Sequence, residues 1–199
     1  MKETAATVAR RLRGMLRVDE RLIVIVKDLG EIVEPYRAGE LRLEDLGPQH
    51  LPALSELNRK RKRPHVDRRF ERNVAAGFHG FVAFKGEELI GYYWWVDAEV
   101  PVRYPDLDKL GLEIELGPGD VYGSDFYVLE EHRGDGVAAD CLFKIESSLR
   151  DRGFERLWGY VVSDNRPARW IYSLRGYAPM WVIHRKRFLF LQRTKRETS

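Results

Sequence analysis

The sequence predicts an α+β domain with an α/β-type mixed sheet, and three stretches carry that prediction. Phe81 to Phe84 and Leu89 to Val96 are β-type runs around the polar turn Lys85-Gly86-Glu87-Glu88, which reads as a hairpin. Tyr122 to Leu129, an apolar-periodic helix from about Val137, and Leu157 to Val162 form a strand–helix–strand unit, whose strands should run parallel. Tyr177 to Leu191 is strand-like again, as one long strand or a pair.

The remaining elements fill in around these. Residues 4–17 read as an amphipathic helix, with Val8, Leu12 and Leu16 four apart and arginines between them. Arg21 to Val26 (RLIVIV) is a β-branched strand, and residues 31–39, with Pro35 and Gly39, form a connector. Glu40 to Leu43 alternates as a strand does. A helix over 49–60 places Leu51, Leu54 and Leu57 at spacings of three. Asp67 caps a second helix, closed by Gly77. The strand 89–96 is aromatic on both faces, as suits a central strand or one whose outer face meets a ligand.

Residues 97–120 are irregular, and a long loop ahead of the strand at 122 is a common place for substrate contacts; Arg103, Tyr104, Asp106 and Asp108 lie there. Asn58 to Arg63 (NRKRKR) reads as a solvated helix end or as an electropositive rim for an anionic group. In the helix after 136, Val137, Cys141, Ile145 and Leu149 make one buried stripe, which makes Cys141 a core residue. Ser163-Asp164-Asn165 caps the next helix, with Pro167 in its first turn and Gly176 at its end. The tail from Gln192 is polar and reads as frayed.

Composition sets outer limits. The chain has 199 residues, 44% hydrophobic and 12% aromatic, enough for a sizeable core. Its 34 basic and 31 acidic residues leave a formal charge of +3, too weak to suggest nucleic acid. One cysteine rules out an internal disulfide framework and a multi-cysteine metal site. No apolar run approaches the roughly 18–20 residues that span a bilayer, and residues 1–17 lack the apolar core of a signal peptide. A cytoplasmic protein is the expectation.

The stretch 122–139 is the most informative. A strand meets the charged turn Glu130-Glu131-His132 and enters Arg133-Gly134-Asp135-Gly136-Val137-Ala138 at a helix N-terminus. Glycines let backbone approach a ligand closely, and the first amides of a helix are unpaired and carry partial positive charge. Such a turn is a seat for phosphate or pyrophosphate. Gly134-x-Gly136-x-x-Ala139 also satisfies a dinucleotide fingerprint with Glu155 about 20 residues on. Glu155, however, precedes the next strand instead of ending it, and 60 residues after Ala139 are few for a doubly wound sheet.

Two motifs in order decide between these. Arg133-x-x-Gly136-x-Ala138 follows one strand; Asn165-x-x-Ala168-x-x-x-Tyr172 follows the next, directly before Leu174-Arg175-Gly176-Tyr177. Together they resemble the GNAT superfamily of acyl-CoA-dependent N-acyltransferases, over residues 40–184. Glu130 departs from the proline common at that position. The resemblance implies a mixed, mostly antiparallel sheet with the parallel βαβ unit at the cofactor site and helices on both faces. Residues 1–39 lie outside it, as an extension that packs a helix and an edge strand on the domain at 40–199.

The resemblance further implies acetyl-CoA or another acyl-CoA as acyl donor, no metal, and a primary amine acceptor, small-molecule or aminoacyl. Nucleic acid and a membrane span are not expected, and a homodimer is compatible with it. The amides of Arg133, Gly134, Asp135, Gly136, Val137 and Ala138 would hold the pyrophosphate, and backbone near Phe126 and Val128 the pantetheine. Asn165 would bond that arm or order its turn, Ala168 belongs to the same helix motif, and Tyr172 would protonate the departing thiolate. Asp125 is the one carboxylate within the strand and the first choice of base; Tyr122, Ser124 and Glu130 compete, and His132 sits in a loop. A non-catalytic acyl-CoA sensor or partner-binding module of the same fold is the other reading.

Overall fold

The computed structural model describes residues 17–32, 40–100, 104–188 and 191–197. Eight strands form one sheet: β1 (Arg17–Asp28), β2 (Leu41–Asp45), β3 (His79–Lys85), β4 (Glu88–Asp97), β5 (Asp120–Val128), β6 (Arg156–Val162), β7 (Ala178–Phe188) and β8 (Leu191–Glu197). Their order is β2-β3-β4-β5-β6-β1-β7-β8. All neighbours are antiparallel except β5 and β6, the pair joined by the predicted strand–helix–strand unit. The helices are α1 (Leu51–Lys60), α2 (Asp67–Ala75), the short α3 (Pro105–Lys109), α4 (Val137–Asp151) and α5 (Arg166–Leu174).

Alternation sends each strand's side chains to two cores. On one face Leu54, Leu57 and Phe70 of α1 and α2 pack with Leu22, Val24, Tyr92, Trp94 and Tyr122. On the other, Leu142, Ile145 and Leu149 of α4 pack with Ile25, Tyr93, Trp95, Val121 and Leu157. Cys141 is buried on the α4 face, as the stripe predicts, and burial pushes its thiol up to about 12. The aromatic strand is central, with Tyr92 and Trp94 on one side and Tyr93 and Trp95 on the other.

Three expectations are corrected. β1 is no edge strand: it pairs with β6 over Leu22–Asp28 and with β7 over Arg17–Val26. Its run of consecutive apolar residues is what burial on both faces selects. The polar tail is no frayed end, because residues 191–197 pair with β7 as β8. An edge strand needs its backbone hydrogen bonds but no apolar face, and charged side chains suit it. Asp67 is the first residue inside α2, not its cap; its carboxylate accepts from Ser55 Oγ at 2.6 Å and Asn58 Nδ2 at 2.7 Å, tying α2 to α1. The expected helix over 4–17 and most of the connector 31–39 lie outside the described residues. The 97–120 loop contains α3, which stands against the α1/α2 face.

Candidate active site

β5 and β6 are paired only at Asp120–Arg156, Val121–Leu157 and Tyr122–Trp158. Beyond that point they separate, and the chain itself causes the separation. β5 bulges against β4, where Tyr92 pairs with Tyr127 and Trp94 with Ser124, so two residues, Asp125 and Phe126, oppose Tyr93 alone. Asp125 takes a positive φ of 48°. Gly123 is required here because Tyr93's hydroxyl fills the space a Cβ would take. A cleft of about 700 Å³ opens in the gap, walled by β5, β6 and the starts of α4 and α5.

At one end of the cleft lies the glycine turn. Asp135 and Gly136 both have positive φ, 46° and 84°, which lifts the chain into α4. Val137 N–H bonds the Gly134 carbonyl at 2.9 Å and Asp140 N–H the Gly136 carbonyl at 2.9 Å. Among the described residues, no acceptor takes the amides of Gly134, Asp135, Gly136, Ala138 or Ala139. Nothing lies within 4 Å of where a Cβ would stand on Gly134 or Gly136. Free donors, open space and the helix N-terminus are the elements of an anion cradle. The Arg133 side chain folds back on the strand end: its Nε donates to the Val128 carbonyl at 2.8 Å.

The other motif forms the opposite wall. Asn165 caps α5, its Oδ1 accepting from Ala168 N–H at 3.2 Å. Ala168 and Tyr172 line the cleft, and Trp170 stands at its mouth with 66% of its surface exposed. The Tyr172 ring meets Tyr177 edge-on at 4.9 Å. Burial, with Glu146 adding its negative field, pushes the Tyr172 phenol up to about 12. Glu146 is fully buried and ion-paired with Arg175, itself 2% exposed.

The cleft passes from the α4 face to the α1/α2 face, where Ser124, Asp125, Trp158 and Tyr160 line it. Asp125 is not a free carboxylate: Arg69 of α2 donates to it, and Tyr92 Oη does so at 3.1 Å. Tyr122 and Ser124 are buried, while Glu130 is exposed and pairs with Arg133 at 3.7 Å. His132 meets Glu88 at 3.1 Å, away from the cleft. The basic run divides by function: Asn58 is buried, Lys60 pairs with Glu88, and Arg61 lies 3.8 Å over the Tyr127 ring. Arg103 lies outside the described residues.

The chain matches the acetyltransferase (GNAT) family over residues 44–177, two thirds of its length, which include both cleft motifs. It belongs to that family. This GNAT chain spans only part, 23% to 66%, of the length of several solved structures that share its fold. Its fold recurs in solved structures. A glucosamine N-acetyltransferase region of a fungal multi-domain β-N-acetylglucosaminidase matches with a TM-score of 0.64 and 17% identity, covering 94% of this chain and 23% of that one. A functionally unknown conserved protein from Staphylococcus epidermidis matches at 0.62 and 12%, covering 92% and 66%. The ribosomal-protein-S18-alanine N-acetyltransferase from Escherichia coli matches at 0.52 and 15%, covering 68% and 76%. No curated protein matches the chain in sequence. Among the described residues of this GNAT chain, no helix is long and apolar enough to cross a membrane.

Sequence reasoning missed Arg69, Tyr92 and Tyr160, and the Glu146–Arg175 pair. Two of these left a signal. Tyr160 alternates with Trp158 and Val162 along LWGYVV, an aromatic face on the strand beside the cleft. Glu146 stands four residues after Leu142, a charge set on the buried stripe of α4.

Proposed function

We propose that the protein transfers an acetyl group, or another acyl group, from acyl-CoA to a primary amine by direct attack within a ternary complex. The observation that carries this reading is the pairing of the free amides of Gly134, Asp135, Gly136, Ala138 and Ala139 with Tyr172 across one cleft. Acyl-CoA supplies the electrophilic carbonyl and a thiol leaving group. The amides of Gly134, Asp135, Gly136 and Ala138 hold its diphosphate, aided by the α4 dipole. The unpaired edge of β5 around Phe126 holds the pantetheine arm.

Tyr172 donates its proton to the departing sulfur. A phenol pushed up to about 12 keeps that proton through the physiological range. Asp125, bound to Arg69 and Tyr92, acts as an anchor holding α2 to the bulge and not as the base.

Calorimetry with acetyl-CoA, beside turnover on glucosamine, spermidine and alanyl-peptide amines, tests the reading. Binding with CoA release on at least one amine is expected; binding without turnover on any amine would favour a non-catalytic module. Gly136→Val is the control. A β-branched residue at φ 84° is strained by roughly 1–3 kcal/mol and intrudes on the cradle. It should weaken acetyl-CoA binding about tenfold or more.

A further inference from the structure

We propose that Arg69 of α2 is a positioning residue for the acyl donor: through Asp125 it holds the β5 bulge in its left-handed turn, which keeps residues 125–127 unpaired with β6 and open to the pantetheine. This rests on the acyl-transfer reading above and adds to it a part for the α1/α2 pair in binding CoA.

Four non-glycine residues among those described have positive φ, and Asp125, at 48°, is the one inside a strand. A side chain crowds the backbone in that conformation, so it persists only where surrounding contacts hold it. The bulge built on it comes just after the last pair between β5 and β6, Tyr122 with Trp158. Asp125, Phe126 and Tyr127 line the cleft that opens there. Extended backbone at 125 would remove the extra residue, let the ladder with β6 continue and send the following side chains to the opposite face.

The α1/α2 pair supplies the contacts that prevent this. Two donors reach one oxygen of Asp125, Oδ2: the Arg69 guanidinium, and the Tyr92 hydroxyl at 3.1 Å. Tyr92 Oη in turn accepts from Arg61, the residue that closes α1. The Arg61 guanidinium lies 3.8 Å over the Tyr127 ring, which stacks on Tyr92 at 5.9 Å. Residues 125 and 127 are thus both fastened on the α1/α2 side. Phe126 between them meets Tyr93 edge-on at 5.9 Å in the other core, so the strand is held from both faces. Of the two donors to Asp125, Arg69 is the charged one, and a hydrogen bond between ionised partners is the stronger kind. Its loss should release the bulge.

Positioning and simple packing of α2 predict opposite orders for two substitutions at Asp125. Glycine and alanine both remove the carboxylate, but glycine alone takes a positive φ without steric cost. If the tie serves to hold that φ, glycine makes Arg69 dispensable and alanine does not. If the tie only docks α2, alanine serves at least as well as glycine.

Calorimetry with acetyl-CoA on the full chain, beside thermal unfolding, reads this without an acceptor. Arg69→Met should weaken acetyl-CoA binding about tenfold. Adding Asp125→Gly to Arg69→Met should restore affinity to within about threefold of wild type, and adding Asp125→Ala should leave it about tenfold weak. Should Arg69→Met fail to fold, the single changes carry the same comparison, with Asp125→Gly binding acetyl-CoA about fivefold tighter than Asp125→Ala. Affinity within about twofold of wild type in Arg69→Met, or glycine no better than alanine, would overturn the proposal. A wild-type protein that binds no acetyl-CoA would overturn the acyl-transfer reading itself, and this proposal with it.

Discussion

Tyr172→Phe is expected to lower kcat by roughly 100-fold or more while leaving acetyl-CoA affinity within about twofold. Phenylalanine keeps the ring and its edge-on contact with Tyr177, so the wall of the cleft survives and only the proton donor is lost. The thiolate would then have to leave unprotonated, or be protonated by solvent that the cleft partly excludes. The pH profile separates this role from a packing role. Because burial and Glu146 raise the phenol to about 12, the donor form is full at neutral pH and falls only as pH approaches that value. Wild-type kcat should therefore show no alkaline decline attributable to Tyr172 below about pH 11. Unchanged kcat in Tyr172→Phe, measured by CoA thiol release, would contradict the assignment.

The second large effect falls on stability. Glu146→Ala should destabilise the fold by about 3–5 kcal/mol, because it leaves the Arg175 guanidinium in the interior without its carboxylate. For a chain of this size that lowers Tm by roughly 10 °C or more. Arg175→Ala should cost a similar amount for the mirror reason. The double change Glu146→Gln with Arg175→Met removes both charges and should cost less than either single alanine, since no uncompensated charge is left buried. Thermal unfolding of the three variants checks this order. The pair lies behind Tyr172, so in Glu146→Gln the tyrosine loses the field that opposes its ionisation, and its pKa should fall.

The path from sequence to fold was clear where local pattern and packing agreed. The hairpin 81–96, the parallel unit 120–162 and the Asn165-capped helix each followed from periodicity and capping residues. β8 was hidden because a polar edge strand carries no apolar face to advertise itself. β1's interior place was written in the unbroken run Leu22 to Val26, which the motif boundaries outweighed. In the site, the glycine turn and Tyr172 could be read because their chemistry is local. The ties of Arg69 and Tyr92 to Asp125 could not, because they join α2, β4 and β5, and only the bulge at Asp125 turns its carboxylate toward them. The strand carboxylate is thereby tied to α2 and β4.

The most direct test of the central claim is a crystal structure of the protein with CoA bound. The diphosphate should lie on the amides of Gly134, Asp135, Gly136 and Ala138, the pantetheine along β5 near Phe126, and the sulfur within about 3.5 Å of Tyr172 Oη. CoA seated elsewhere, or a sulfur pointing away from Tyr172 with that hydroxyl bonded to protein alone, would contradict it.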